Sequence, residues 1–308
     1  MSSFFAEIKS FLVELWENYS KDNSLKLGAA LAYYTVFSFA PVIIIMISIA
    51  GFFFGEEAIR GEVYLELNGL LGDYAALQVQ ELIENSYVEN SSIWVATVGV
   101  IGLIFGATAI FGELQDSLNS IWEIRAKPKS NILWFLSTRL LSFGMIVTLG
   151  FLLLVSLILN AAMVAFGEKF VQIIPGISDF FLIAVTTLVS LGITTFLFGL
   201  MFKVLPDAKI RWRDVWAGAF FTAVLFAIGK HLIGLYIGQS SITTTYGAAG
   251  SIAVLLIWTY YSSQILFLGA EFTFVWAKRY GDPIMPNKYA IRVVQQEVVP
   301  ENQAIGSD

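Results

Sequence analysis

The sequence predicts an all-α, polytopic membrane protein of six transmembrane helices, with both termini cytoplasmic. An N-terminal interfacial amphipathic helix and a small helical extracytoplasmic cap complete the expected architecture. Three observations lead there. Long apolar runs recur along the chain, and Ile252 to Ala270 passes nineteen residues without a charge. A helix of about 20 apolar residues crosses the roughly 30 Å hydrocarbon core, and it satisfies its own backbone where no water is present. Charged residues make up only 14% of the chain, against about a quarter in soluble domains. Finally, lysine and arginine collect on alternate connections, fourteen on one side against two on the other, which places the basic side in the cytoplasm.

Taken in order, residues 1–26 form the first expected unit. Phe4, Phe5, Ile8, Phe11, Leu12, Leu15, Trp16 and Tyr19 recur at steps of three and four, with Glu7, Lys9, Glu14 and Glu17 opposite. That is an amphipathic helix lying in the membrane interface or packed on the protein's own cytoplasmic face. Met1 to Tyr19 has no basic segment followed by an uninterrupted apolar core, so insertion is expected to rely on the first internal span. The transmembrane domain occupies 27–280. Its first span is Gly28 to Phe54, with Tyr33 and Tyr34 near the start and Pro41 bending it. Residues 55–92 form the cap: Glu56 to Asn90 carries eight acidic residues against the single Arg60.

Ile93 to Ile110 is the second span, running on through Glu113 and Asp116. Asn131 to Phe166 is the third, with Arg139 in its first turns. Phe180 to Leu205 is the fourth and Val215 to Ile237 the fifth, the latter with Lys230 and His231 embedded. Gly247 to Arg279 holds the sixth. Residues 281–308, with Pro283, Pro286 and Pro300, read as a polar cytoplasmic tail without evident fold.

The candidate functional residues are the polar ones inside these spans. Tyr260, Gln264 and Glu271 are four and seven apart and share one face of the sixth helix. At 1.5 Å per residue, Glu113, Arg139 and Glu271 all fall in the cytoplasmic half of the membrane. Arg139 is the natural partner of Glu113, Glu271 or both, because a guanidinium serves two carboxylates. Such a triad either clamps three helices, snorkels to the interface or handles a substrate or proton. Lys230 and His231 sit in the outer half, where the lysine either snorkels or meets an anionic head group. Tyr33, Tyr34 and Tyr260 are candidates to line the same cavity.

Zero cysteines exclude disulfides and thiolate metal sites, and one histidine leaves little for a metal centre. No cofactor is expected. No GxxxxGK[ST] loop is present to hold a nucleotide phosphate. RNA hydrolysis would need a carboxylate or histidine cluster around cations, or a positioned acid and base; the chain is therefore expected to be neither an enzyme nor a nucleic-acid binder.

Three segments carry a family resemblance: GAALAYYTVFSFAP (Gly28 to Pro41), LPDAKIRWRD (Leu205 to Asp214) and YGAAGSIAVLLIWTYYSSQILFLGAEF (Tyr246 to Phe272). The chain resembles the YihY/BrkB family of bacterial inner-membrane proteins, once labelled ribonuclease BN. The resemblance extends to about Tyr280 and implies a six-span, N-in/C-in protein of the inner membrane. By analogy it points to export or movement of envelope lipids or other amphiphiles. The expected function is that of a transporter or lipid-moving protein with a polar intramembrane cavity. Its partners would be membrane lipids, an anionic amphiphile and, in a homo-oligomer, further copies of the chain. The alternative is a non-transporting envelope scaffold or assembly factor.

Overall fold

In the computed structural model, residues 2–38, 93–127, 144, 179–239 and 248–293 are described. The cap at 55–92, the third span apart from Gly144, and the tail beyond 293 lie outside them, and Arg139 with them. Numbered in chain order, the described elements begin with helix α1, Ser2–Lys21. A turn then leads to α2, helical over 24–38. Next come α3, Ile93–Ile121, and strand β1, Ile124–Ala126. Helix α4, Asp179–Val204, is followed by β2, Ala208–Lys209. Helix α5, Trp212–Gln239, leads to α6, Ala248–Tyr280, the longest at 33 residues. Strands β3, Met285–Pro286, and β4, Ala290–Arg292, close the described chain. Three of these helices are long and apolar enough to cross a membrane, through Thr187–Val204, Trp212–Ile237 and Ile252–Tyr280.

Helix α6 packs on α5, α5 on α4, and α1 on α6. The α5–α6 contact is built from glycine and threonine. Gly218 has no room for a Cβ because Thr273 occupies the space, and Gly269 has none because Thr222 does. The order reverses between the helices, so they run antiparallel. Each threonine hydroxyl donates to the carbonyl four residues back, Thr222 to Gly218 and Thr273 to Gly269, both at 2.7 Å. With its hydroxyl satisfied inside its own helix, each threonine costs little to bury against the facing backbone. Small residues at such a spacing let helices approach closely in lipid, where van der Waals packing rather than the hydrophobic effect drives association.

At one end of the helices the chain folds into short strands. Strand β4 pairs antiparallel with β1, placing Ile124 opposite Arg292, and β3 pairs with β2, placing Ala208 opposite Pro286. The segment after α6 thereby ties the exit of α3 to the α4–α5 connection. The tail read from sequence as having no fold is thus structured as far as Val293. Strands of two or three residues leave no alternation to detect. Asp207 is the polar centre of this region. Its carboxylate accepts from Gln115 at 3.3 Å and Asn119 at 3.0 Å, and its backbone N–H donates to Asn119 Oδ1 at 2.8 Å.

Of the two settings open to α1, the structure realises packing on the protein, while an apolar stripe stays uncovered. Phe11 and Leu15 bury against Val275, with Phe272 and Trp276 beside them. Phe5, Leu12 and Trp16 remain more than half exposed on the adjoining arc. Beside the buried stripe, Glu14 accepts from Lys278 at 2.8 Å and from the Arg279 Nε at 2.7 Å. Burial raises the Glu14 carboxyl, but Lys278 and Arg279 outweigh it and hold it below the usual value. A lowered folded-state pKa contributes stability above the ordinary carboxylate range, and that stability is lost as pH falls through the folded value. Acidification should therefore loosen α1 from α6. Hydrogen exchange of α1 amides, corrected for intrinsic rate, should quicken in acid, and Glu14→Gln should produce the same change at neutral pH. The pair is partly exposed, so the effect should be about 1 kcal/mol or less.

Candidate functional site: a polar cluster where the first turn meets the last helix

Helix α1 ends at Lys21, and the chain turns through Asp22 and Asn23 before helix resumes at Ser24. Asn23 adopts a left-handed φ of 54°, a conformation its short polar side chain tolerates better than most. Its side-chain amide donates to Lys21 O at 3.2 Å. The turn delivers Tyr19, Asp22 and Ser24 onto α6, opposite Gln264 and Glu271.

Glu271 is completely buried, with 0% exposure, and neither carboxylate oxygen makes a hydrogen bond of good geometry among the described residues, although Asp22 and Ser24 lie within reach of one. Asp22 and Ser24 are its nearest polar neighbours, and the Glu123 charge lies further out. Ser24 is also at 0% exposure, with its hydroxyl oxygen unpartnered. About two helical turns away, the Tyr19 hydroxyl donates to Gln264 Oε1, while the amide nitrogen of Gln264 finds no partner among the described residues. Gly28 faces that amide with no space for a Cβ. Burial, then Tyr260 and Glu271, push the Tyr19 phenol up to about 12, so it stays a donor across the physiological range. The Asp22 carboxyl is raised as well, by burial first and by the Glu123 charge, while a hydrogen-bonding interaction with Glu271 and the Lys21 charge oppose the rise.

On the far side of Asp22 lies a cavity of about 540 Å³, lined by Lys21, Asp22, Asp116, Asn119, Glu123 and Arg125 among others. Glu123 takes Arg292 at 3.0 Å and Lys21 at 3.9 Å. It holds a left-handed φ of 56° at the exit of α3, strained for a residue with a Cβ. No group of three or more metal-ligating residues occurs among the described residues.

The structure brings Gln264 and Glu271 together, and adds Tyr19, Asp22 and Ser24, which the sequence did not single out. In sequence Tyr19 belongs to the apolar face of α1, and Asp22 and Ser24 to a polar turn. Glu113 is half-buried on α3. Tyr260 is partly exposed on α6 and near enough to Tyr19 to raise its phenol; Tyr33 and Tyr34 are exposed on α2, the rings of Tyr33 and Phe37 being 4.9 Å apart. Lys230 and His231 are exposed on α5, the imidazole Nδ1 lying 2.8 Å from Ala227 O. Arg139 lies outside the described residues.

Apolar helices of membrane-crossing length around a buried polar cluster define the class, a multi-span helical membrane protein. The family model described as virulence factor BrkB matches residues 15–290, and the chain belongs to that family. It is 27% identical to a UPF0761 membrane protein of Pseudoalteromonas atlantica (strain T6c), with 86% of each chain covered. It is 29% identical to another of Pseudoalteromonas translucida (strain TAC 125), covering 89% of this chain and 90% of the relative. A Bacillus subtilis (strain 168) relative named as ribonuclease-like, YfkH, is 27% identical, with 88% of this chain and 96% of that one covered. No solved structure matches.

Proposed function

We propose that this protein moves an anionic amphiphile, such as a membrane lipid, across or within the bacterial inner membrane. The observation that carries the reading is the group of unpartnered buried polar atoms around α6. Glu271, Ser24 and Gln264 all place such atoms beside a membrane-crossing helix. Polar groups at membrane depth are expensive to bury and mark pathways more often than supports. A scaffold gains nothing from bearing that cost. In this reading both termini are cytoplasmic, and the strand-tied end of the helices faces the cytoplasm. Lys230 lies exposed on α5, toward the outer half, and offers a cation to a lipid head group while its stem lies along apolar surface.

Liposomes carrying the full chain and a fluorescent anionic lipid test the proposal. Wild type should move the lipid between leaflets, and Lys230→Ala should slow this several-fold while expression and melting stay near wild type. Lys230→Arg should retain more movement than Lys230→Gln. No movement by wild type under any imposed gradient removes the transport reading. The exposed stripe of Phe5, Leu12 and Trp16 on α1 would then favour the scaffold, anchored at the interface.

A further inference from the structure

The charge inventory around Glu271 is unbalanced if every carboxyl is ionised. Facing the site are Tyr19, Lys21 and Asp22 from α1 and its turn, Glu123 from the α3 exit, and Tyr260 and Glu271 from α6 itself. Asp116 from α3 borders the same cavity, and three cations answer these groups among the described residues: Lys21, Arg125 and Arg292. Lys21 lies between Asp22 and Glu123, and Arg292 is committed to Glu123. With Asp22, Glu123 and Asp116 as anions, Lys21, Arg292 and Arg125 complete the balance, and no positive charge among the described residues is left for Glu271. A buried carboxylate without cation or hydrogen bond is among the costliest states a side chain can occupy. Two carboxyls in contact escape that cost by keeping one proton between them.

We propose that Glu271 and Asp22 form a proton-binding pair, with Asp22 as the exchange point between the buried acid and the water-accessible cavity. Ser24 supports the assignment independently of the acids. Its completely buried, unpartnered hydroxyl beside Glu271 accepts from a protonated carboxyl and donates to an ionised one. It thus serves both states of the site. Asp22 is only partly buried and borders the cavity, so a proton reaching it from water has one transfer left to Glu271. In that transfer the Asp22 O–H bond breaks as the Glu271 O–H bond forms, and the charge moves from Glu271 to Asp22. Asp22 also sits in the turn joining α1 to α2, so a change in the pair's charge acts directly on the docking of α1 and its turn against α6. The inference names the ion bound at the site on which the transport reading leans, and its test needs no transport.

Infrared difference spectra of the full chain in lipid vesicles, between acidic and alkaline buffer, read the proton directly. Wild type should show a protonated-carboxyl C=O band that shifts in heavy water and disappears as pH rises. Glu271→Gln, an uncharged near-isostere, should lose this band. Asp22→Asn should move its disappearance to lower pH, because the neighbouring negative charge is gone. A wild type without the band, the result expected if Arg139 keeps Glu271 ionised, overturns the assignment. So does a band that survives unchanged in Glu271→Gln, or one whose midpoint is indifferent to Asp22→Asn. If Glu271→Gln fails to fold, the wild-type and Asp22→Asn spectra still decide it. Lipid movement and the carboxyl band are separate readouts, so either proposal can fail alone.

Discussion

Gly269→Leu should destabilise the protein by about 3 kcal/mol or more, at or beyond the upper end of ordinary overpacking. Even a single Cβ at position 269 would meet the Oγ1, Cβ and Cγ2 of Thr222. The Cβ of Thr222 is fixed to its backbone and cannot rotate away, so the helices must part. Parting them also displaces Gly218 from Thr273, the reciprocal contact one turn along. Gly218→Leu should therefore cost a similar amount, and the two effects should not add, since the first separation has already spent the contact. Thr222→Gly should rescue Gly269→Ala in part, by emptying the space the new methyl needs. Thermal unfolding in detergent with both single variants and the pair measures this coupling. Equal melting temperatures for Gly269→Leu and wild type would mean that α5 and α6 do not meet at these residues.

The large features were legible because they rest on long-range averages. Apolar runs give α4, α5 and α6 almost to the residue, the fifth span being expected from Val215 and observed from Trp212. Gln264 and Glu271 were visible as a polar face because helical period converts spacing into direction. The rest depended on contacts between elements distant in sequence. Nothing near Asp22 or Ser24 indicates that a turn will lay them on residue 271, since the contact is set by α1 docking. Asp207 looks like a turn residue in LPDAKIRWRD, yet it is held by Gln115 and Asn119 from α3. The Gly218–Thr273 and Thr222–Gly269 contacts are likewise unreadable on one helix alone, because each glycine matters only through the residue that fills its space.

Trp122→Ala should be among the most damaging truncations at the strand-tied end, costing about 3–5 kcal/mol. Trp122 is 1% exposed and follows the last residue of α3. Its ring lies in the buried cluster that includes Leu118, Phe202, Val215 and Phe267, to which α3, α4, α5 and α6 all contribute, and its centroid is 6.3 Å from that of Phe202 on α4. The indole N–H donates to Ala270 O at 3.1 Å, directly beside Glu271 on α6. Truncation would leave a cavity that helices held by strands and glycine contacts cannot close. It would also remove the second hydrogen bond to Ala270 O, a carbonyl inside α6. Trp122→Phe separates these contributions: it keeps most of the ring and forfeits only the hydrogen bond, for about 1 kcal/mol and some lost packing volume. Chemical or thermal unfolding of the two variants should therefore differ by about 2 kcal/mol or more, the alanine being worse. Because Ala270 adjoins Glu271, Trp122→Ala should also disturb the carboxyl band, whereas Trp122→Phe should preserve it. Equal, small losses in both variants would place Trp122 outside the core and break the link between α3 and the buried acid.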